Sequence, residues 1–101
     1  MVIHIVIFKL IKTDTTSIDS LKEQLFRLKD LPYLADFDII EKSNLLKSYI
    51  DGDLVLFSKF KNKKDLELYM TDETHLEVIK NTSINIQEKY ILDFASNNIK
   101  V

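Results

Sequence analysis

His4 and His75 are the side chains of this sequence that can exchange a proton near neutral pH without help from their surroundings. A neutral imidazole is a suitable general base, and a tyrosine hydroxyl can hold a carbonyl or enolate oxygen. Together such groups could remove a proton next to a carbonyl, as in aldol-type cyclisation or isomerisation. Each residue also has a plainer reading. His4 lies in an apolar run, where a histidine satisfied by one hydrogen bond often serves the core. Tyr69 shares a helical stripe with Leu66 and can cap the core. His75 follows Asp72, Glu73 and Thr74 near a helix start, where it can stay on the surface beside those carboxylates.

Other chemistry finds little support. With no cysteine there is no disulfide framework, thiolate metal site or cysteine nucleophile, which suits a cytoplasmic protein. The histidines and scattered carboxylates show no metal-site spacing, and Asp72-Glu73 lacks the glycine and alternation of a calcium loop. The sole glycine, Gly52, cannot build a phosphate-cradling loop, and no serine nucleophile motif is present. Nothing calls for a cofactor. Lys59-Phe60-Lys61-Asn62-Lys63-Lys64 is locally basic, but the net charge is −2, so no nucleic-acid partner is expected. Met1 to Phe8 is apolar without a basic flank or a small-residue cleavage site, and is too short to span a bilayer. It reads as a buried strand, and no membrane partner is expected.

At 101 residues there is room for one domain, residues 1–101. Val2 to Ile11 is rich in β-branched residues and apolar on both parities. Ile3, Ile5 and Ile7 point one way; His4, Val6, Phe8 and Leu10 point the other. Thr13 to Ser17 supplies helix N-cap candidates, and Ile18, Leu21, Leu25 and Leu28 form a helical stripe that Pro32 must end. Phe37 to Glu41 reads as a short second strand, followed by a loop over 43–52 closed by the turn signal Asp51-Gly52-Asp53. Leu54 to Phe60 is a third strand, with Leu54, Leu56 and Phe60 on one face and Val55 and Phe57 on the other. Asn62 can cap a short helix carrying Leu66, Tyr69 and Met70. A further helical stretch spans about Thr74 to Ile84, interrupted by Asn81, Thr82 and Ser83. Lys89 to Ala95 alternates as a fourth strand, and the last residues are expected to fray.

The order is β-α-β-β-α-β, an α+β ferredoxin-like arrangement with a four-stranded antiparallel sheet and helices on one face. The opposite face would carry Ile3, Ile5, Ile7, Val55 and Phe57 into water. A patch of that kind marks an interface, and two sheets packed face to face would cover it. A homodimer is the expectation that this pattern carries.

Several segments in register also resemble a known family. They are His4-Ile-Val-Ile-Phe-Lys9-Leu, Glu41-Lys-Ser-Asn44, Asp53-Leu-Val-Leu-Phe-Ser-Lys-Phe60, Asp65-Leu-Glu-Leu-Tyr69, His75 and Ile91-Leu-Asp93-Phe94. Together they resemble the stress-responsive A/B barrel domain family, Dabb, over essentially the whole chain. The resemblance implies a ferredoxin-like subunit and a dimeric α/β barrel. A plant polyketide cyclase of that family lines a pocket with a histidine on the first strand and a tyrosine and a histidine six residues apart in the second helical region. His4, Tyr69 and His75 stand at the similar positions. A third-strand histidine of that pocket corresponds here to Leu54, and a proline common two residues before the helix histidine is replaced by Glu73.

By that resemblance His75 would be the base, Tyr69 the partner of a carbonyl or oxyanion, and His4 an orienter. Val6, Phe8, Leu54 and Leu56 would make an apolar pocket for a small ligand. Three readings follow. The favoured one is a dimeric module binding a small apolar ligand. The second is a cofactor-independent enzyme, cyclase- or isomerase-like, or monooxygenase-like by analogy with barrels of that architecture. The third is a structural or stress-protective protein with a filled core.

Overall fold

A computed structural model describes residues 1–48 and 50–96. The expected fraying of the final residues lies outside the described residues. Strand β1 (Val2–Leu10) leads into α1 (Thr15–Phe26), then β2 (Leu34–Glu41), β3 (Leu54–Phe60), α2 (Lys63–Thr71), α3 (Glu73–Thr82) and β4 (Ile86–Ala95). Short 3-10 turns at Lys42–Asn44 and Ser83–Asn85 precede β3 and β4. The sheet order is β2-β3-β1-β4, and every pairing is antiparallel. The fold is therefore ferredoxin-like, with the second helical region divided into two helices.

Capping explains where the helices begin. The Asp14 carboxylate accepts from the Ser17 backbone N–H at 3.3 Å and from its hydroxyl at 2.7 Å, starting α1. Asn62 accepts from the Asp65 N–H at 2.9 Å, as the sequence led us to expect. Asp72 ends α2 and caps α3, accepting from the Thr74 N–H at 2.8 Å. That shared residue is what divides the region in two.

Some boundaries differ from expectation. Helix α1 stops at Phe26 instead of running toward Pro32. The N–H groups of Arg27, Leu28, Lys29 and Leu31 each bond three residues back, so the chain tightens into turns. Leu28 stays on the apolar stripe and is buried. Strand β2 starts at Leu34 and β4 at Ile86, each three residues earlier than the hydrophobic runs, because ladder pairing carries polar residues along with the apolar ones.

The register fixes both faces of the sheet. Val6 pairs with Leu56 and Phe8 with Leu54, and this face packs on Leu21 and Leu25 of α1, Leu66 and Tyr69 of α2, and Val78 of α3. On the other face Ile5 pairs with Phe57 and Leu92, and Ile7 with Val55 and Tyr90. Among the described residues no helix covers that side. Tyr90, Leu92 and Phe94 are 41%, 57% and 40% exposed there.

Gly52 is required by close approach and not by a left-handed turn, since no glycine has positive φ. A Cβ at Gly52 would stand 2.4 Å from the Ile7 Cγ2 methyl. This contact, with the Asp53 N–H donating to the Phe8 carbonyl at 2.7 Å and the Leu10 N–H to the Asp53 carboxylate at 2.8 Å, fastens the loop before β3 onto β1.

Candidate functional site

His4 is placed by its parity on β1. It points to the helix side of the central strand and is 2% exposed. A polar ring so placed needs a partner. Asp93 of β4 pairs with His4 in the ladder, so its side chain emerges on the same face, and its carboxylate accepts from His4 Nδ1. Asp93 itself is 44% exposed and brings the pair toward solvent.

His75 sits in the first turn of α3, held there by the Asp72 cap. It is 6% exposed, and its Nδ1 has no hydrogen-bond partner. Burial lowers its pKa below the ordinary 6.5, opposed by the backbone of Met70, with the charges of His4 and Lys89 acting in the same direction as burial. The neutral imidazole is thus favoured near pH 7, and a neutral ring with an unpartnered nitrogen can accept a proton or a hydrogen bond.

Tyr69 packs against both histidine rings. Its ring centroid is 4.5 Å from that of His75 and 6.1 Å from that of His4, the latter edge-on. Phe60 closes the other side at 5.0 Å. Burial pushes the phenol up to about 12. The nearby Ser58 hydroxyl opposes that shift, yet the two oxygens do not meet hydrogen-bond geometry, and each is left without a partner. Three buried polar atoms, Ser58 Oγ, Tyr69 Oη and His75 Nδ1, are therefore unpaired within one neighbourhood. Native cores leave few such atoms, and their concentration here makes the region the candidate site.

A cavity of about 60 Å³ opens beside β4. His4, Val6, Phe8 and Leu56 form its sheet wall, His75 and Ile79 its α3 wall. Of the pocket residues expected from sequence, Leu54 is fully buried in the core and does not line this space. Tyr69 stands behind the histidines and is not on the wall either. A larger depression of about 590 Å³ lies at the far end of β1, between α1 and the end of α3. It has no histidine on its wall, whereas the smaller space has two.

Residues missed from the sequence are Asp93, Ser58 and Lys89. The signal for Ser58 was available: a small hydroxyl interrupts the apolar parity of Leu54, Leu56 and Phe60. Among the described residues no group of three or more His, Asp or Glu could hold a metal ion. Among them, too, no helix is long and apolar enough to cross a membrane.

Comparison with known proteins bears on the fold. Residues 2–96 match the stress responsive A/B barrel domain. No curated protein matches the chain. A ferredoxin-like Dabb protein from Mesorhizobium loti superposes with a TM-score of 0.82 at 12% identity, covering 96% of this chain and 97% of that one. A dimeric ferredoxin-like protein from Thermobifida fusca gives 0.80 at 14% identity over 94% and 90%. The hydroxynitrile lyase of Passiflora edulis gives 0.81 at 17% identity over 99% and 96%. At such identities the likeness is one of fold.

Proposed function

The chain belongs to the stress-responsive A/B barrel domain family, and from that premise we propose that it is a homodimer in which each protomer binds a small, largely apolar ligand between His4 and His75. The observation that carries the ligand reading is a cavity walled by both His4 and a buried His75, the latter with an Nδ1 that has no hydrogen-bond partner. Leaving that nitrogen dry and unpaired costs about 1–3 kcal/mol, so a role beyond packing is the simplest reason to keep a histidine here. Ligand pockets for drug-sized molecules measure roughly 300–1,000 Å³. At about 60 Å³ this one selects a much smaller molecule.

The dimer reading rests on the open sheet face. The half-buried Ile5, Ile7, Val55 and Phe57 form an apolar surface with the exposed Tyr90, Leu92 and Phe94, whereas Ile3, expected on the same open face, is 8% exposed and already buried within the protomer. A second copy stacked on that face would remove it from water. The dimeric relative from T. fusca supports the same arrangement. A cytoplasmic location is supported by the cysteine-free sequence.

A second reading is favoured by the His4–Asp93 pair. A histidine oriented by a carboxylate, facing a second histidine that favours its neutral form, is an arrangement suited to general acid–base work. In this reading His75 takes a proton from a carbon or hydroxyl next to a carbonyl, and Asp93 holds His4 in place to stabilise the polar end of the ligand. The hydroxynitrile lyase of the same fold makes acid–base chemistry a reasonable counterpart. Tyr69, off the wall, would support His75 through ring packing.

Both readings are tested by imidazole NMR of the purified dimer during titration with small hydroxy and carbonyl compounds. Binding should shift the His75 signal selectively. No change with any compound would reject the ligand. Deuterium uptake from D2O into a bound carbonyl compound, lost in His75→Ala, would select the enzyme; binding without uptake would select the binding module.

A further inference from the structure

Lys89 lies on the helix-facing side of β4, directly across from Phe8, and its side chain lines the same cavity. Ile91, the next residue on that face, also lines the cavity, and Asp93, the one after, lies beyond its wall. Four residues of strand separate Asp93 from Lys89 by roughly 13 Å. Asp93 is occupied by His4. Glu88, beside Lys89 in sequence, points to the opposite face and accepts from the Tyr90 hydroxyl. Asp72 is engaged by Tyr33 at 3.0 Å and by the Thr74 N–H. The ammonium of Lys89 makes no side-chain hydrogen bond and no ion pair among the described residues. Among the described residues no carboxylate lines the cavity.

Among the described residues the space thus has one cation on its wall, Lys89, an apolar middle made by Phe8, Val6 and Ile91, and the His75 ring on its α3 side. A neutral apolar ligand would satisfy the middle and leave the ammonium to water. An anionic group on the ligand would instead meet Lys89 at the edge of a low-dielectric space, where the attraction exceeds that of a fully exposed pair. We propose that the ligand is a short-chain monocarboxylate, its carboxylate held by Lys89 and its hydrocarbon body directed toward His75. This rests on the cavity reading given above and names the ligand class for it. The small volume limits the body to a few carbons, and the single cation favours one carboxylate over two.

Titration of the intact protein with sodium butyrate and with its neutral isostere butyramide, at constant ionic strength and with His75 imidazole NMR as readout, tests the assignment. Butyrate should bind at least tenfold more tightly than butyramide. Lys89→Met should remove that preference while leaving the circular dichroism and sedimentation of the protein unchanged, and Lys89→Arg should keep most of it. Equal binding of the two compounds to the wild type, or a preference that survives in Lys89→Met, would overturn the carboxylate assignment and leave the cavity reading standing. If neither compound, nor any uncharged hydroxy or carbonyl compound, moves the His75 signal, the cavity reading fails and this inference fails with it.

Discussion

The rings of Tyr69 and His75 meet at 4.5 Å with their planes inclined at 51°, yet the polar atoms Tyr69 Oη and His75 Nδ1 are both buried and unpaired. The contact satisfies the carbon surfaces of the two rings and leaves their hydrogen-bonding capacity unused. A core selected for stability alone would have filled these positions with apolar residues. The pair is therefore the place where stability and ligand chemistry can be separated by substitution.

Tyr69→Phe should raise stability by about 1 kcal/mol, because it removes a dehydrated hydroxyl without removing the ring that packs on Phe60 and His75. Urea denaturation at pH 7 checks this. A loss of stability would show that the hydroxyl is hydrogen-bonded in the folded protein, with the neighbouring Ser58 hydroxyl or a water as its partner. In alkaline spectrophotometric titration the same substitution should abolish the tyrosine ionising near pH 12.

His75 gives the fold a mild acid sensitivity. Its folded pKa is lowered from 6.5, so the unfolded chain binds more protons at weakly acidic pH. The contribution of the neutral buried ring is complete above pH 6.5 and is lost as pH falls through the lowered folded value. The slope approaches at most about 1.4 kcal/mol per pH unit for one proton. Denaturation midpoints measured from pH 7.5 down to 5.5 should decline in the wild type and decline less in His75→Gln. Parallel curves would remove His75 as the cause.

Ile5→Asp and Phe57→Asp should each split or unfold the proposed dimer, since these two residues pair across β1 and β3 on the open face and a buried unpaired carboxylate is costly. Sedimentation velocity reads the result. An unchanged dimer for both variants would move the interface elsewhere.

Gly52→Ala should destabilise the protein by about 1–3 kcal/mol, as the new methyl collides with the Cγ2 of Ile7, an atom fixed close to the backbone. The cost should shrink in the background of Ile7→Ala, which deletes that methyl. A double-mutant cycle without coupling would contradict the close approach.

The sheet was legible because β1 and β3 alternate with period two, which assigns each side chain to a face before any pairing is known. His4 and His75 could be singled out by type. Their convergence could not be read from periodicity, since it depends on Asp72 capping α3 at the right point. Asp93 was hidden for another reason. An acidic residue in an alternating strand reads as solvent-facing, and only the pairing of β1 with β4 sets it beside His4. Leu54 was placed on the correct face, but the cavity lies toward β4 and not over the β3 end. The end of α1 was unreadable because Leu28 keeps the helical apolar period while the backbone has already tightened into turns.

Strand β1 writes two instructions in alternate letters: Ile3, Ile5 and Ile7 face the open side, while His4, Val6 and Phe8 face the cavity. A substitution edits one message and leaves the other intact. Deleting a single residue from its middle would interchange them beyond that point, turning cavity residues outward and isoleucines inward. Exchange of β1 residues should therefore be tolerated within each parity, whereas a change of its length should be lethal to both messages at once.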